Sequence, residues 1–297
     1  MRFSLVHATT YVYAQRVDLA HHVLHLDARD GPDQQVDRVE ISSVPAARRV
    51  KTSRDHYGNR VTHLEIDMPH DRLEIVLSAT GRIARARPLP TTPPWERVRL
   101  AVGGGGFPED HAASEFALGS PLAMPSPALR DLAAPCFAPG RPILDAVREL
   151  TRRINREFRY DPHATEISTP LAQVLRMRAG VCQDFAQIEI AALRALGLAA
   201  RYVSGYVATR PPGAARPLRG ADASHAWLSV WCGAEVGWVD VDPTNDLVVA
   251  DAHVVAAWGR DYADVSPVRG VLVGGGAHGH EVAVDLHLEE TAPATVR

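Results

Sequence analysis

Three residues in the second half of the chain have the types and the order needed for thiol chemistry: Cys182, His225 and Asp242. A thiolate attacks a carbonyl carbon, but it needs a base to hold the thiol proton and a carboxylate to orient that base. Cys182 follows Gly180 and opens an apolar run that stops at Gly197, which predicts a helix beginning at the cysteine. Unpaired N–H groups and the helix dipole at such a start favour the thiolate. His225 precedes a predicted strand in Ser224-His225-Ala226-Trp227, and Asp242 follows another in Val241-Asp242-Pro243-Thr244. If 226–231 and 237–241 pair antiparallel, histidine and aspartate lie side by side, and a helix packed on that sheet aims Cys182 at the imidazole. Each residue also has a plainer reading. The cysteine could be a small buried side chain, the histidine structural, and Asp-Pro-Thr a turn.

The elements around these residues read as helices first and sheet afterwards. Ile143, Val147, Leu150, Ile154 and Phe158 form one apolar stripe at helical spacing. A second helix is expected to start at Ser168-Thr169-Pro170, to bury Leu171, Val174 and Leu175, and to end where Gly180 turns left-handed. Strands follow at 200–207, 226–231 and 237–241, and Val282, Val284, Leu286 and Leu288 alternate as a half-buried strand. The first 85 residues read as strands throughout, with Phe3, Leu5, His7, Thr9, Tyr11 and Tyr13 at period two and turns at Asp30-Gly31-Pro32-Asp33 and Tyr57-Gly58-Asn59. Residues 86–127 carry Pro88, Pro90, Pro93, Pro94, Pro108, Pro121, Pro125 and Pro127 and the run Gly103 to Gly106, and read as a connection. The expected organisation is an all-β, sandwich-like domain at 1–85, a Pro/Gly-rich connection at 86–127, and an α+β catalytic domain at 128–297. A chain starting near Ser126 is expected to fold alone.

Composition narrows the function classes. The 297 residues are 46% hydrophobic and 23% charged with a net charge of -3, which excludes a disordered chain and argues against a nucleic-acid partner. No apolar run reaches membrane-spanning length, and residues 1–20 lack the features of a secretion signal. Cys136, Cys182 and Cys232 lie far apart in the sequence, so a reducing cytoplasm is expected.

Longer motifs surround the three residues. Arg178-Ala179-Gly180-Val181-Cys182-Gln183-Asp184-Phe185-Ala186 closely resembles the cysteine motif of bacterial transglutaminase-like proteins. Arg201-Tyr202-Val203-Ser204-Gly205-Tyr206 is similar to the strand that follows it in that family. Ser224-His225-Ala226-Trp227 resembles its histidine motif, and Gly237-Trp238 with Asp242-Pro243-Thr244-Asn245 its aspartate motif. Gly259-Arg260-Asp261-Tyr262-Ala263-Asp264-Val265 is similar to the subset carrying a bacterial N-terminal β-domain. The resemblance implies a papain-like core of helices on an antiparallel sheet, with Cys182 as nucleophile, His225 as general base and Asp242 as its orienter. The Cys182 N–H is one candidate oxyanion donor; Gln183 and Tyr202 are candidates for the second. The family often has Glu where this chain has Ser229, a departure that bears on substrate preference. Asp240 competes for the orienting role, since alternate strand residues share a face, and Asp242 is preferred for its place in Asp-Pro-Thr.

The expected activity is acyl chemistry on peptide or protein amides through a thioester, with hydrolysis favoured over amine transfer and no cofactor. An inactive peptide-binding module and a metal-binding structural protein are the alternatives. The second rests only on histidines such as His21, His22 and His25, which lack the accompaniment of a metal site. On a strand His21 and His25 would share a face and His22 would point away. Arg82, Arg85 and Arg87 read as a solvated strand end, Cys232 as a packed or loop residue, and Trp227 and Tyr206 as lining an acyl cleft or packing in the core.

Overall fold

The computed structural model describes residues 1–85, 89–211, 217–220 and 224–290; Arg87 and Pro88 lie outside them. Five strands come first: β1 (Arg2–Leu24), β2 (Gln34–Val44), β3 (Arg49–Arg54), β4 (Arg60–Ile66) and β5 (His70–Ile83). Helices α1 (Trp95–Leu100), α2 (Pro108–Ala113), α3 (Pro127–Ala133) and α4 (Ile143–Glu157) follow. The two-residue strands β6 (Arg159–Tyr160) and β7 (Ala179–Gly180) pair in parallel around α5 (Leu171–Met177), and α6 (Cys182–Ala195) comes next. Then come β8 (Ala200–Val207), β9 (His225–Trp231), β10 (Trp238–Asp242), β11 (Leu247–Val248) and β12 (His253–Gly259). The short helix α7 (Tyr262–Val265) leads to β13 (Val268–Gly274) and β14 (His278–Glu289). The fold is α+β. Among the described residues no helix is long and apolar enough to cross a membrane.

Alternation builds the first sheet. Phe3, Leu5, His7 and Thr9 of β1 are buried while Ser4 and Val6 face out. The register against β5 shifts between Val12 and Val17, and beyond that bulge Val17, Ala20, His22 and Leu24 are the buried set. His21 is exposed, and His25 lies past the end of the strand, buried, with Nε2 3.5 Å from Asp55. The sheet runs β2-β5-β1-β4-β3, with β13 and β14 also paired to β1, and curls as an antiparallel half-barrel. One sheet, rather than two facing ones, makes up this domain.

Two expected boundaries are corrected. β14 pairs with residues 2–13 of β1, and β13 with 17–24, so the last strands complete the first sheet instead of belonging to a catalytic domain at 128–297. The proline-rich stretch is not a loose connection. Val98, Val102, Ala113, Phe116 and Ala123 are buried in the same core as α6. Arg194 of α6 fastens that stretch, donating to the Phe116 carbonyl at 2.9 Å and to Ser120 Oγ at 2.9 Å. Both findings remove the ground for cutting the chain near Ser126.

The second sheet runs β11-β10-β9-β8-β12. α6 is buried on nearly every side, because helices surround it and its inner face meets Ala226, Leu228 and Val230. β12 is an edge strand, yet its backbone is not bare. The Gln34 amide donates to the Val255 carbonyl and accepts from its N–H, both at 2.8 Å. Asn59 does the same for Trp258, at 2.8 and 3.0 Å. Two side-chain amides thus stand where another strand would otherwise pair. Tyr206, Val254 and Ala256 pack into the core of the first sheet, which joins the two halves.

Candidate active site

Cys182 is the first residue of α6 and is partly exposed. Asp184 fixes that helix start: its Oδ2 accepts from the Val181 N–H at 2.9 Å and from Thr165 Oγ1 at 2.6 Å. Gly180 is required by proximity, since a Cβ there would lie 2.5 Å from Asp184 Oδ2. The left-handed residue ending α5 is Arg178, at φ 50°, and not the expected Gly180. α5 also begins one residue later than expected, after Pro170, and without a side-chain cap. Phe185, buried against Phe158 with ring centroids 5.9 Å apart, holds the first turn of α6 from below.

The imidazole comes from the first residue of β9 and the carboxylate from the last of β10, strands that pair antiparallel. His225 Nε2 lies 2.8 Å from Asp242 Oδ2, and both side chains are sealed from solvent. Asp242 Oδ1 accepts the N–H groups of Thr244 at 2.9 Å and Asn245 at 3.2 Å, so the turn holds the carboxylate from behind. Oδ2 also accepts Asn245 Nδ2 at 2.8 Å and His253 Nε2 at 3.1 Å. Burial pushes His225 down, but the charge and hydrogen bond of Asp242, with a contribution from Cys182, outweigh it and hold the imidazole well above its ordinary value. Burial would raise Asp242, yet His225 and His253 bring it far below the carboxylate range. With Nε2 committed to Asp242, Nδ1 is the other ring nitrogen, buried and without a hydrogen-bond partner among the described residues. Gly220, at φ +85°, covers it so closely that a Cβ would sit 2.3 Å from Nδ1. The ligand atoms of His225, Asp242 and His253 lie within 4.8 Å of one another, a set able to hold a metal ion. Those same atoms are already engaged in the hydrogen bonds just described.

The comparisons with known proteins cover both halves. Residues 130–243 match the transglutaminase-like superfamily, and residues 3–81 match the bacterial transglutaminase-like N-terminal region. An uncharacterized protein of Mycobacterium tuberculosis is 40% identical over 281 residues, 91% of this chain and 87% of that one. The chain belongs to the transglutaminase-like superfamily. The crystal structure of a candidate cysteine protease from Cytophaga hutchinsonii shares the fold, with a TM-score of 0.74 at 22% identity over 98% of this chain and 92% of that one. A protein-glutamine gamma-glutamyltransferase of Pseudomonas aeruginosa is 32% identical over 107 residues, 33% of this chain and 16% of that one.

The other residues singled out in this transglutaminase-like chain fall in different places. Gln183 is half-buried next to Cys182 on α6. Tyr202 is buried in the same core; burial pushes its phenol up, and the neighbouring Cys182 adds to the push. Tyr206 is at the junction of the halves, its hydroxyl donating to the Leu26 carbonyl at 2.9 Å, and Trp227 is fully buried beneath the histidines. Neither lines an open cleft. Trp227 Nε1 donates to Asp240 Oδ2 at 2.9 Å, which places Asp240 on the indole and Asp242 on the imidazole. Cys232 and Cys136 are buried free thiols. Ser229 is buried between Arg201 of β8 and Asp240 of β10, its hydroxyl without a hydrogen-bond partner among the described residues.

Two residues near the carboxylate carried too little sequence signal to be assigned roles. Asn245 is in the Asp-Pro-Thr-Asn turn, where its neighbour's motif marked the position but not the amide's use. His253 opens β12, across the sheet from β10, and no motif in the sequence marks it. Arg82 pairs with Asp37 at the surface. Arg85 is not a solvated strand end: its Nη1 donates to the carbonyls of Ala250 at 2.6 Å and His253 at 2.8 Å.

Proposed function

We propose that the protein is a thiol enzyme that opens peptide or protein amides through a thioester on Cys182. The observation carrying this reading is the buried 2.8 Å bond from His225 Nε2 to Asp242, with Cys182, at the start of α6, acting on the same imidazole. In this reading the Cys182 thiolate attacks the carbonyl carbon while His225 is protonated. Collapse of the tetrahedral adduct breaks the C–N bond, and Nδ1–H delivers its proton to the departing amine. Water then attacks the thioester, His225 takes its proton, and the acid leaves as the thiolate reforms. The Cys182 N–H, in the first turn of α6, is a natural oxyanion donor, and the Tyr202 hydroxyl is the second candidate.

Water is favoured as acceptor because it needs no binding site, whereas an amine must be held beside the thioester. Incubating the full chain with a peptide library, with and without a primary amine, tests both parts by mass spectrometry. Hydrolysed amides in both arms are expected. Products carrying the added amine would replace hydrolysis by transfer. Unchanged peptides, together with a Cys182 no more reactive than Cys136 or Cys232, would leave a binding module.

A further inference from the structure

Asp242 is held by more than the triad requires. After β11 the chain crosses from one edge of the second sheet to the other, and His253, the first residue of β12, arrives over the carboxylate. We infer that His253 is a positioning residue that donates its Nε2–H to Asp242 Oδ2 and so keeps the carboxylate ionised and aimed at His225. This inference rests on the thiol-enzyme reading of the site.

The hydrogen-bond chemistry fixes the direction. An ionised carboxylate only accepts, so the nitrogen 3.1 Å from Oδ2 must carry the proton. His253 Nδ1 is then the bare nitrogen, buried with no hydrogen-bond partner among the described residues. A second cation there would be repelled by His225 and Arg85 against the attraction of Asp242, and burial, the largest influence, disfavours the charged ring. Neutral His253 therefore adds a donor without competing for the negative charge. Its ring is clamped on two sides, 5.1 Å from Trp227 and 6.0 Å from His225 between centroids. Glu189 of α6 is also coupled to Asp242, and burial favours its protonated form. The backbone carrying His253 is fastened separately. Besides the bonds from Arg85 Nη1, the Arg85 N–H donates to Asp251 Oδ1 at 3.0 Å. Arg85 follows β5, so the first half of the chain holds the segment that steers the carboxylate.

Two replacements separate the hydrogen bond from the packing. In His253→Gln the amide can supply an N–H near the Nε2 position; in His253→Leu nothing can. The rate of Cys182 alkylation by iodoacetamide is followed against pH in the full chain, and turnover is followed where a substrate amide is in hand. His253→Gln is expected to stay within about threefold of wild type, whereas His253→Leu loses about tenfold or more in kcat with KM unchanged, the worth of one bond to a charged group. Its alkylation profile moves to higher pH by about one unit, because the imidazolium is held less firmly. Equal behaviour of His253→Leu and wild type overturns the inference, as does a His253→Gln protein impaired as badly as His253→Leu. Imidazole 15N spectra of the unaltered protein provide a test that needs no replacement. They should show His253 protonated on Nε2 alone, and a proton on Nδ1 or a metal bound at Nε2 overturns the role. Those spectra are independent of the thiol, so a wild-type Cys182 that proves unreactive rejects the enzyme reading without deciding this one.

Discussion

Replacing Asp242 by Asn keeps the side-chain shape and removes its charge. The Oδ1 position faces the N–H groups of Thr244 and Asn245, so the amide oxygen of the variant settles there. Its NH2 then occupies the place of Oδ2, where it meets three donors: His225 Nε2 at 2.8 Å, Asn245 Nδ2 at 2.8 Å and His253 Nε2 at 3.1 Å. A donor cannot satisfy donors. The least costly escape moves the imidazole protons from Nε2 to Nδ1, which leaves His225 neutral with its proton on the nitrogen that the proposed mechanism needs bare. Such a ring cannot take the proton of Cys182. The upward push of the carboxylate on His225 is gone, and burial, which acts downward, remains. Loss of the base is expected to cost about 10²–10³ in rate, less than the roughly 10⁴ seen when a hydroxyl nucleophile loses its orienting carboxylate, because a thiol is already a good nucleophile. Leaving the remaining partners buried without their anion costs about 3 kcal/mol of stability.

Asp240→Asn is the matched control. Asp240 accepts Trp227 Nε1–H at 2.9 Å, and an amide oxygen can keep that bond, so the change stays within about threefold. The assay is the rate of Cys182 alkylation across the mildly acidic to neutral range, read on intact protein, with a thermal melt for stability. If Asp240→Asn abolishes the reactivity at mildly acidic pH while Asp242→Asn preserves it, the orienting carboxylate has been assigned to the wrong residue.

At mildly acidic pH iodoacetamide should modify Cys182 first, because Cys136 and Cys232 are buried and burial pushes their thiols up, that of Cys232 to about 12; equal labelling of all three by peptide mapping would remove the basis for the nucleophile. Gly220→Ala puts a methyl into His225 Nδ1 and a side chain at a left-handed φ, so the melting temperature should drop by the equivalent of about 1–2 kcal/mol and alkylation should slow. A Gly220→Ala protein matching wild type in both would show that this backbone does not lie against the imidazole. Burial raises the pKa of Glu189 to about 8, against the hydrogen bond from Thr151 and with added repulsion from Asp242 and Asp246. A raised acid supports the fold fully below its ordinary value of 4.5 and loses that support as the pH climbs through about 8. Thermal stability should therefore decline towards alkaline pH, and Glu189→Gln, which can still accept from Thr151, should flatten the decline. Parallel curves for the two proteins would show that Glu189 does not titrate in this way.

The sequence makes some of these placements readable because they are local. A cysteine one residue after Val181 on a helix start, and an Asp-Pro-Thr turn closing a strand, are set by neighbours within a few positions. Pairing His225 with Asp242 needs only two strands joined by a short loop, which is why that contact could be anticipated. His253 could not be placed this way. It reaches Asp242 by crossing the sheet, and no periodicity encodes where a strand lands. Val282, Val284, Leu286 and Leu288 announce a half-buried strand, but alternation does not say which sheet buries it, and β1 rather than the second sheet does so. In the proline-rich stretch Val98 with Val102 and Ala113 with Phe116 are helically spaced, but Gly103 to Gly106 and Pro108 separate the pairs, so no continuous stripe announced this piece of the core. Tyr206 fits a strand in either orientation; only the first half of the chain, packed behind it, shows which face is inside.

The pairing of β1 with β14 has a consequence for biosynthesis. Residues 2–13 are synthesised well before their partners at 278–289. At about 5–20 residues per second, roughly 15–50 seconds separate the two halves of that ladder. Throughout that interval one edge of β1 stands open, and an open edge is a template for pairing with another chain. Every residue of the proposed catalytic network, from Cys182 to His253, is synthesised before the ladder can close. The chain can therefore assemble the proposed catalytic residues before its first sheet is complete. During synthesis the open strand, more than the catalytic core, is what a chaperone would have to protect.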